Sequence, residues 1–279
     1  MRLLGVLAGI AALAALTAVG GSAVPGPASL IAVGDIASCT TDDDEATARV
    51  VAQLPGTLAV LGDAVYEKGA EEEFARCYLP AWGRFLSRTR AALGNHEYAN
   101  GDSDAAAAKR VFGLRGQGWY SYELGAWHVI VLNSYCDFIR CQAGSPQWRW
   151  LRADLTRHRS ARCTLAYWHH PRWSSGEHGS DTRLAPFWDL LAAAKADLVL
   201  AGHDHDYERF APLKGIRSFV VGTGGKSHYA VGKRRAGSEV ANDDTFGVLH
   251  LTLRAGGWSW RFLRSAGGTF TDRGSAACH

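Results

Sequence analysis

The sequence predicts an α/β fold, a four-layer sandwich of two mixed β-sheets packed face to face and flanked by helices. Two patterns carry this expectation. Short apolar runs of strand length alternate with helically spaced stretches, as parallel strands joined by crossover helices require, and the strand-rich last third supplies more strands than one sheet economically holds. A third observation marks where chemistry would sit: five apolar runs stop at a polar, metal-capable side chain. In open α/β sheets ligands bind in the crevice at those carboxyl ends.

Residues 1–23 have the pattern of an export signal, with Arg2 as the positive end, an apolar run over 3–19 and Gly21-Ser22-Ala23 offering small residues for cleavage. An uncleaved anchor is the alternative, since the run is nearly long enough to span a bilayer. Its Ala/Gly content and the following Pro25 and Pro27 favour cleavage, so residues 24–279 are expected as one exported domain. Within it, residues 30–33 form a strand ending at Gly34-Asp35, and 43–54 a helix whose first-turn acids complement its dipole. A strand over 58–61 ends at Gly62-Asp63, a helix runs through 71–78, and a strand over 90–93 ends at Gly94-Asn95-His96-Glu97.

Residues 119–124 and 127–132 predict a hairpin turning at Gly125-Ala126. A helix over 145–158 has Ser145 to cap it and Pro146 at its first position. The strand over 163–168 ends in His169-His170-Pro171; a helix over 184–195 follows, then a strand over 197–201 ending in Gly202-His203-Asp204-His205. Strands over 217–221, 246–253 and 258–263 complete the chain, with no repeat, low-complexity tract or linker. Gly222-Thr223-Gly224-Gly225 lacks the ending of a phosphate-binding loop and reads as a tight strand exit.

With 47% hydrophobic and 20% charged residues the 279-residue chain can bury a large core, which excludes disorder. A net charge of +3 is too even for binding through bulk charge, so no nucleic acid is expected as a structural partner. Six cysteines in an exported chain imply three disulfides, formally in any of fifteen pairings. The short interval favours Cys136 with Cys141; Cys163 with Cys278 and Cys39 with Cys77 are the expectation for the rest. A cysteine-based metal site is the competing reading and the less favoured one.

Asp35, Asp63, Asn95, His169, His203 and His205 together offer two carboxylates, an amide oxygen and three imidazoles, a mixture suited to a pair of first-row cations. One carboxylate can bridge two ions, and Asp63 is the choice for the bridge. The blocks Gly34-Asp35, Gly62-Asp63-Ala64-Val65-Tyr66, Gly94-Asn95-His96-Glu97, Tyr167-Trp168-His169 and Gly202-His203-Asp204-His205 resemble, in order, the five signature blocks of calcineurin-like metallophosphoesterases, and specifically of purple acid phosphatases. The resemblance covers about residues 29–210, and Tyr207-Glu208-Arg209 also matches what often follows the last block.

Ala37 stands where the wider superfamily has a metal-binding His, and Tyr66, three residues after Asp63, stands where the purple acid phosphatase pattern has a phenolate ligand. A phenol ionises near pH 10, so a trivalent ion is the means of holding it deprotonated at working pH. The resemblance therefore implies Fe(III) on Asp35, Asp63, Tyr66 and His205, and a divalent ion (Fe, Zn or Mn) on Asp63, Asn95, His169 and His203. It implies hydrolysis of phosphate monoesters, by attack of a metal-bound hydroxide on phosphorus. His96, beside Asn95, is the first candidate for general acid, and His178, nine residues after His169, the second. Arg172 and His170 are weaker candidates to meet phosphate, and His128, His158, His228, His250 and His279 are read as structural.

Small phosphorylated substrates, a secreted location and no stable membrane association after signal cleavage follow from this reading. Oligomeric state is left open. Two other readings remain: cleavage of phosphodiesters or nucleotides by the same metal pair, and a non-catalytic metal- or phosphate-binding protein.

Overall fold

The computed structural model describes residues 25–99, 101 and 104–279. The expected export signal, residues 1–23, lies outside the described residues. The first strands are β1 (Ala28–Val33), β2 (Ala37–Ser38), β3 (Thr57–Leu61), β4 (Val65–Tyr66), β5 (Thr89–Ala92), β6 (Tyr120–Leu124), β7 (Trp127–Val131) and β8 (Cys163–Tyr167). Then come β9 (Leu198–Ala201), β10 (Tyr207–Leu213), β11 (Ile216–Val221), β12 (Ser238–Asn242), β13 (Gly247–Arg254), β14 (Gly257–Arg264) and β15 (Arg273–Ala277). The α-helices are α1 (Asp43–Ala52), α2 (Glu71–Glu73), α3 (Leu79–Trp82), α4 (Ala106–Phe112), α5 (Pro146–Arg157) and α6 (Ala185–Ala193).

Two mixed sheets form, one ordered β15-β14-β13-β1-β3-β5 and the other β12-β10-β11-β9-β8-β7-β6. Strands β1, β3 and β5 are parallel, as are β7, β8, β9 and β11. Alternation along each strand sorts side chains into layers. Leu30, Ala32, Ala59 and Leu61 of the first sheet meet Val129, Leu165, Leu198 and Phe219 of the second in the central core. On the other face of the first sheet, Ile31, Val33, Leu58 and Val60 pack against Val51 of α1 and against Phe74, Tyr78 and Trp82. On the outer face of the second, Ile130, Ala166 and Val199 cover Leu151 of α5 and Phe187 and Leu191 of α6. Helix, sheet, sheet, helix is the four-layer sandwich the sequence predicts.

Helix α5 starts as expected, with the Ser145 hydroxyl accepting the Trp148 N–H at 3.2 Å and Pro146 just inside. The single helix expected over 71–78 is instead an irregular helical run reaching Arg88: α2, a π-helical turn Phe74–Tyr78, α3 and a 3₁₀ stretch Gly83–Arg88. Pro80 has no N–H to donate to the turn below it, and the Leu79 N–H bonds the Phe74 carbonyl five residues back. Three disulfides join Cys39 to Cys77, Cys136 to Cys141 and Cys163 to Cys278, the expected pairs. The first ties the segment after β2 to that helical run, and the last ties the start of β8 to the C-terminal residues.

Candidate metal centre

Asp35 follows β1, Asp63 follows β3, Asn95 lies beyond β5, His169 beyond β8, and His203 and His205 beyond β9. All six therefore emerge at carboxyl ends of parallel strands, on one rim of the sandwich. The seventh side chain arrives by a different route: β2 and β4 pair in parallel, Ser38 opposite Tyr66, which brings the phenol to the same rim. Asp35, Asp63 and His203 hold left-handed backbone, with φ of 60°, 49° and 73°. That conformation costs a non-glycine residue about 1–3 kcal/mol and concentrates where function over-determines the backbone.

The Tyr66 hydroxyl donates to Asp35 Oδ1 at 2.7 Å and lies 3.1 Å from both Asp63 Oδ2 and His205 Nε2. His169 Nε2 lies 3.0 Å from the same Asp63 oxygen, 3.1 Å from Asn95 Oδ1 and 3.2 Å from His203 Nδ1. Two donor groups thus form, sharing Asp63 Oδ2, and together they contain all seven side chains singled out from the sequence.

The donor set fits cations. Bonds of 2.0–2.2 Å to an ion place neighbouring donors at right angles about 3 Å apart, which is the spacing observed. The distal ring nitrogens are already committed: His169 Nδ1 to the Leu61 carbonyl at 2.9 Å, and His205 Nδ1 to Ser227 Oγ at 2.7 Å. Such outer hydrogen bonds leave the inner nitrogens for an ion. Asp35 and Asp63 are 0% and 1% exposed, and among the described residues neither has a Lys or Arg partner. Buried carboxylates without such partners call for a bound cation.

The electrostatics agree. Burial works to raise the Asp63 carboxyl, but the attraction and hydrogen bond of His169 outweigh it and hold it well below the usual range. Burial works to lower His169, yet Asp63 drives it up to about 10. Burial, reinforced by Asp35 and Asp63, pushes the Tyr66 phenol well above its ordinary value. The position facing His169 Nε2 therefore attracts positive charge, and Tyr66 can ionise only against a strong cation.

Supporting residues escaped the sequence reading. Glu97, 1% exposed, accepts the backbone N–H groups of Asp63 at 3.0 Å, Ala64 at 2.8 Å and Gly94 at 2.6 Å, tying two of the donor loops together. Burial and the Asp63 charge push its carboxyl up to about 7. A Cβ at Gly94 would lie 2.1 Å from Asp63 Oδ1, so only glycine allows that approach. Ser134 Oγ accepts the N–H groups of His169 and His170. A glutamate able to reach back three residues to Gly94 is the one signal that could have singled out Glu97. Glu97→Gln is expected to weaken metal binding about 10–100-fold, as loss of an outer-shell partner does; metal titration of the apoprotein checks this, and unchanged affinity would contradict it.

His96 and His178 both border the centre. His96 Nδ1 donates to the Glu67 carbonyl at 2.6 Å, and its Nε2 lies 4.0 Å from Asp63 Oδ2. The exposed His178 stacks on His203 with centroids 4.5 Å apart, in a loop whose N–H groups at 178 and 179 bond the Asp204 carboxylate. A cavity of about 290 Å³ lined by His170, His178, Asp181, Arg183 and His203 opens beside them. Arg172 lies elsewhere, over the Trp173 ring in a pocket with Trp188 and Lys214.

Residues 28–207 match the family model described as calcineurin-like phosphoesterase. A phosphoenolpyruvate phosphatase of Allium cepa is 33% identical over 167 residues, covering 49% of this chain and 32% of the relative. Purple acid phosphatase 18 of Arabidopsis thaliana is 36% identical over 96 residues, covering 33% of this chain and 21% of the relative. The matches thus span about a third or less of these relatives' length. The structure of purple acid phosphatase PPD1 from yellow lupin (Lupinus luteus) seeds shares the fold at a TM-score of 0.72 and 18% identity, covering 91% of this chain and 54% of that one. The five ordered strand-end segments, the shared fold and the match over residues 28–207 lead to one conclusion: the chain belongs to the calcineurin-like phosphoesterase family, as a purple acid phosphatase-like member.

Proposed function

We propose that the chain is an exported phosphatase hydrolysing phosphate monoesters at a centre of Fe(III) and one divalent ion (Fe, Zn or Mn), with residues 24–279 acting as one catalytic unit. Asp35, Asp63, Tyr66 and His205 would hold the ferric ion; Asp63, Asn95, His169 and His203 would hold the divalent one. The observation that carries this reading is the Tyr66 hydroxyl set among Asp35, Asp63 and His205. A phenol so placed loses its proton only to a highly charged cation, which favours a trivalent ion there.

When bound, such a pair polarises phosphoryl oxygens and activates water for in-line displacement. The chain's own side chains supply the rest. His96, with Nδ1–H fixed on Glu67, keeps Nε2 turned toward the centre, in position to give a proton to the leaving alkoxide. The exposed His178 lines the adjoining cavity, through which the ester's leaving group would pass. The three disulfides support an oxidising, extracytoplasmic location. No helix among the described residues is long and apolar enough to cross a membrane.

Comparison of p-nitrophenyl phosphate with bis(p-nitrophenyl) phosphate tests the substrate class. The expected result is a kcat/KM at least about tenfold higher on the monoester; preference for the diester would favour the phosphodiesterase reading instead.

A further inference from the structure

At the β6 edge of the seven-stranded sheet, a second group of metal-capable side chains converges outside the seven-donor centre. Glu123 of β6 and His128 of β7 are directly opposed across the hairpin, and His158 caps the C-terminal end of α5 beside them. Glu123 Oε1 lies 2.7 Å from His128 Nδ1 and 3.9 Å from His158 Nε2, and donor atoms of the three residues lie within 4.8 Å of one another.

Each imidazole is already oriented from behind. His128 Nε2 bonds Asp154 Oδ2 at 2.7 Å, and that carboxylate is itself held by the Ser121 hydroxyl at 2.8 Å. His158 Nδ1 donates to the Asp154 backbone carbonyl at 2.9 Å. A metal-ligating histidine characteristically gives its far N–H to a carboxylate or a backbone carbonyl, which fixes the tautomer and frees the near nitrogen. Here both rings have that arrangement: His128 Nδ1 hydrogen-bonds Glu123 Oε1 at 2.7 Å and His158 Nε2 faces the same oxygen at 3.9 Å, so an ion would take the place of the proton shared by His128 and Glu123. An imidazolium bonded to two carboxylates would account for His128 alone. It leaves His158 Nε2 facing Glu123 at 3.9 Å, beyond hydrogen-bond reach.

We propose that Glu123, His128 and His158 form a third metal site, separate from the seven-donor centre, which takes a divalent transition-metal ion of the Zn²⁺ class and leaves a fourth position open to solvent. Two nitrogens and one carboxylate oxygen suit such borderline ions and disfavour Mg²⁺ and Ca²⁺, which demand oxygen. The rings stack with centroids 3.9 Å apart, and Glu123, with a side chain 57% exposed, can move to close the coordination while the 1% exposed His128 and the anchored His158 stay in place. The ion would staple the edge hairpin to α5.

The test uses the full protein with its seven-donor centre already loaded, equilibrated with Zn²⁺ and freed of excess. Wild type is expected to retain one Zn²⁺ per chain more than Glu123→Gln or His158→Ala, both at solvent-accessible side chains. With free Zn²⁺ at 100 times its Kd, wild-type Tm should rise by about 5 °C, and the rise should be lost in both variants. Equal zinc content in wild type and variants, an equal Tm shift, or a comparable wild-type shift with Mg²⁺ would overturn the proposal. The outcome is independent of whether the enzyme is a phosphatase.

Discussion

Asp63→Asn is expected to abolish activity while leaving the fold intact. Its Oδ2 is the atom common to the two donor groups, 3.1 Å from the Tyr66 hydroxyl and 3.0 Å from His169 Nε2. An amide is nearly the same size but neutral, and it presents an NH₂ group where an ion would need a lone pair. Several kcal/mol of transition-state charge stabilisation depend on the ions, so kcat/KM should fall by about 10³-fold or more. Bound metal should fall below two ions per chain. The other oxygen, Oδ1, accepts the His96 N–H at 2.9 Å, and the amide oxygen of Asn can keep that bond, so the loop that carries His96 stays in place and the loss reports on the metal position. Steady-state kinetics with elemental analysis checks both; retained activity with full metal content would remove Asp63 from the bridge.

Tyr66→Phe is expected to produce the second-largest change, and the most diagnostic one. The ring is 2% exposed, with the His96 ring 4.2 Å and the Lys226 ammonium 5.0 Å from its centroid. Phenylalanine retains that packing and removes one oxygen. Any visible charge-transfer band of a phenolate on Fe(III) must then disappear, and iron should be held more weakly. The loss in activity should be at least the 10–100-fold that follows removal of an outer-shell partner. A change confined to stability, with spectrum and iron content unaltered, would mean that Tyr66 only packs beneath the centre.

The central strands were legible because burial on both faces demands apolar side chains in succession. Each of six donors follows such a run, so their convergence could be argued from topology alone. Strand β10 was not legible, because charges interrupt it: buried Glu208 accepts the Ser175 N–H at 2.7 Å, and Arg209 Nε bonds Asp272 at 2.7 Å. Only those tertiary partners make charged residues tolerable in a strand. β12 and β15 lie at sheet edges and are largely half-buried or exposed, so no apolar run marks them. In the centre, Glu97 accepts the Asp63 and Ala64 N–H groups and Ser134 those of His169 and His170, contacts between loops that no local spacing encodes; only the reach of Glu97 back to Gly94 is local. For the same reason His128 and His158 look unrelated in sequence, although β7 and the end of α5 bring their rings together.

These seven side chains are expected to hold an iron-containing pair of metal ions. Elemental analysis with an absorption spectrum of the purified protein, kept free of added zinc so that only the seven-donor centre is counted, tests it most directly. Two metal ions per chain are expected, at least one of them iron, with a visible band that Tyr66→Phe removes. One ion or none per chain, or a band indifferent to Tyr66, would contradict it.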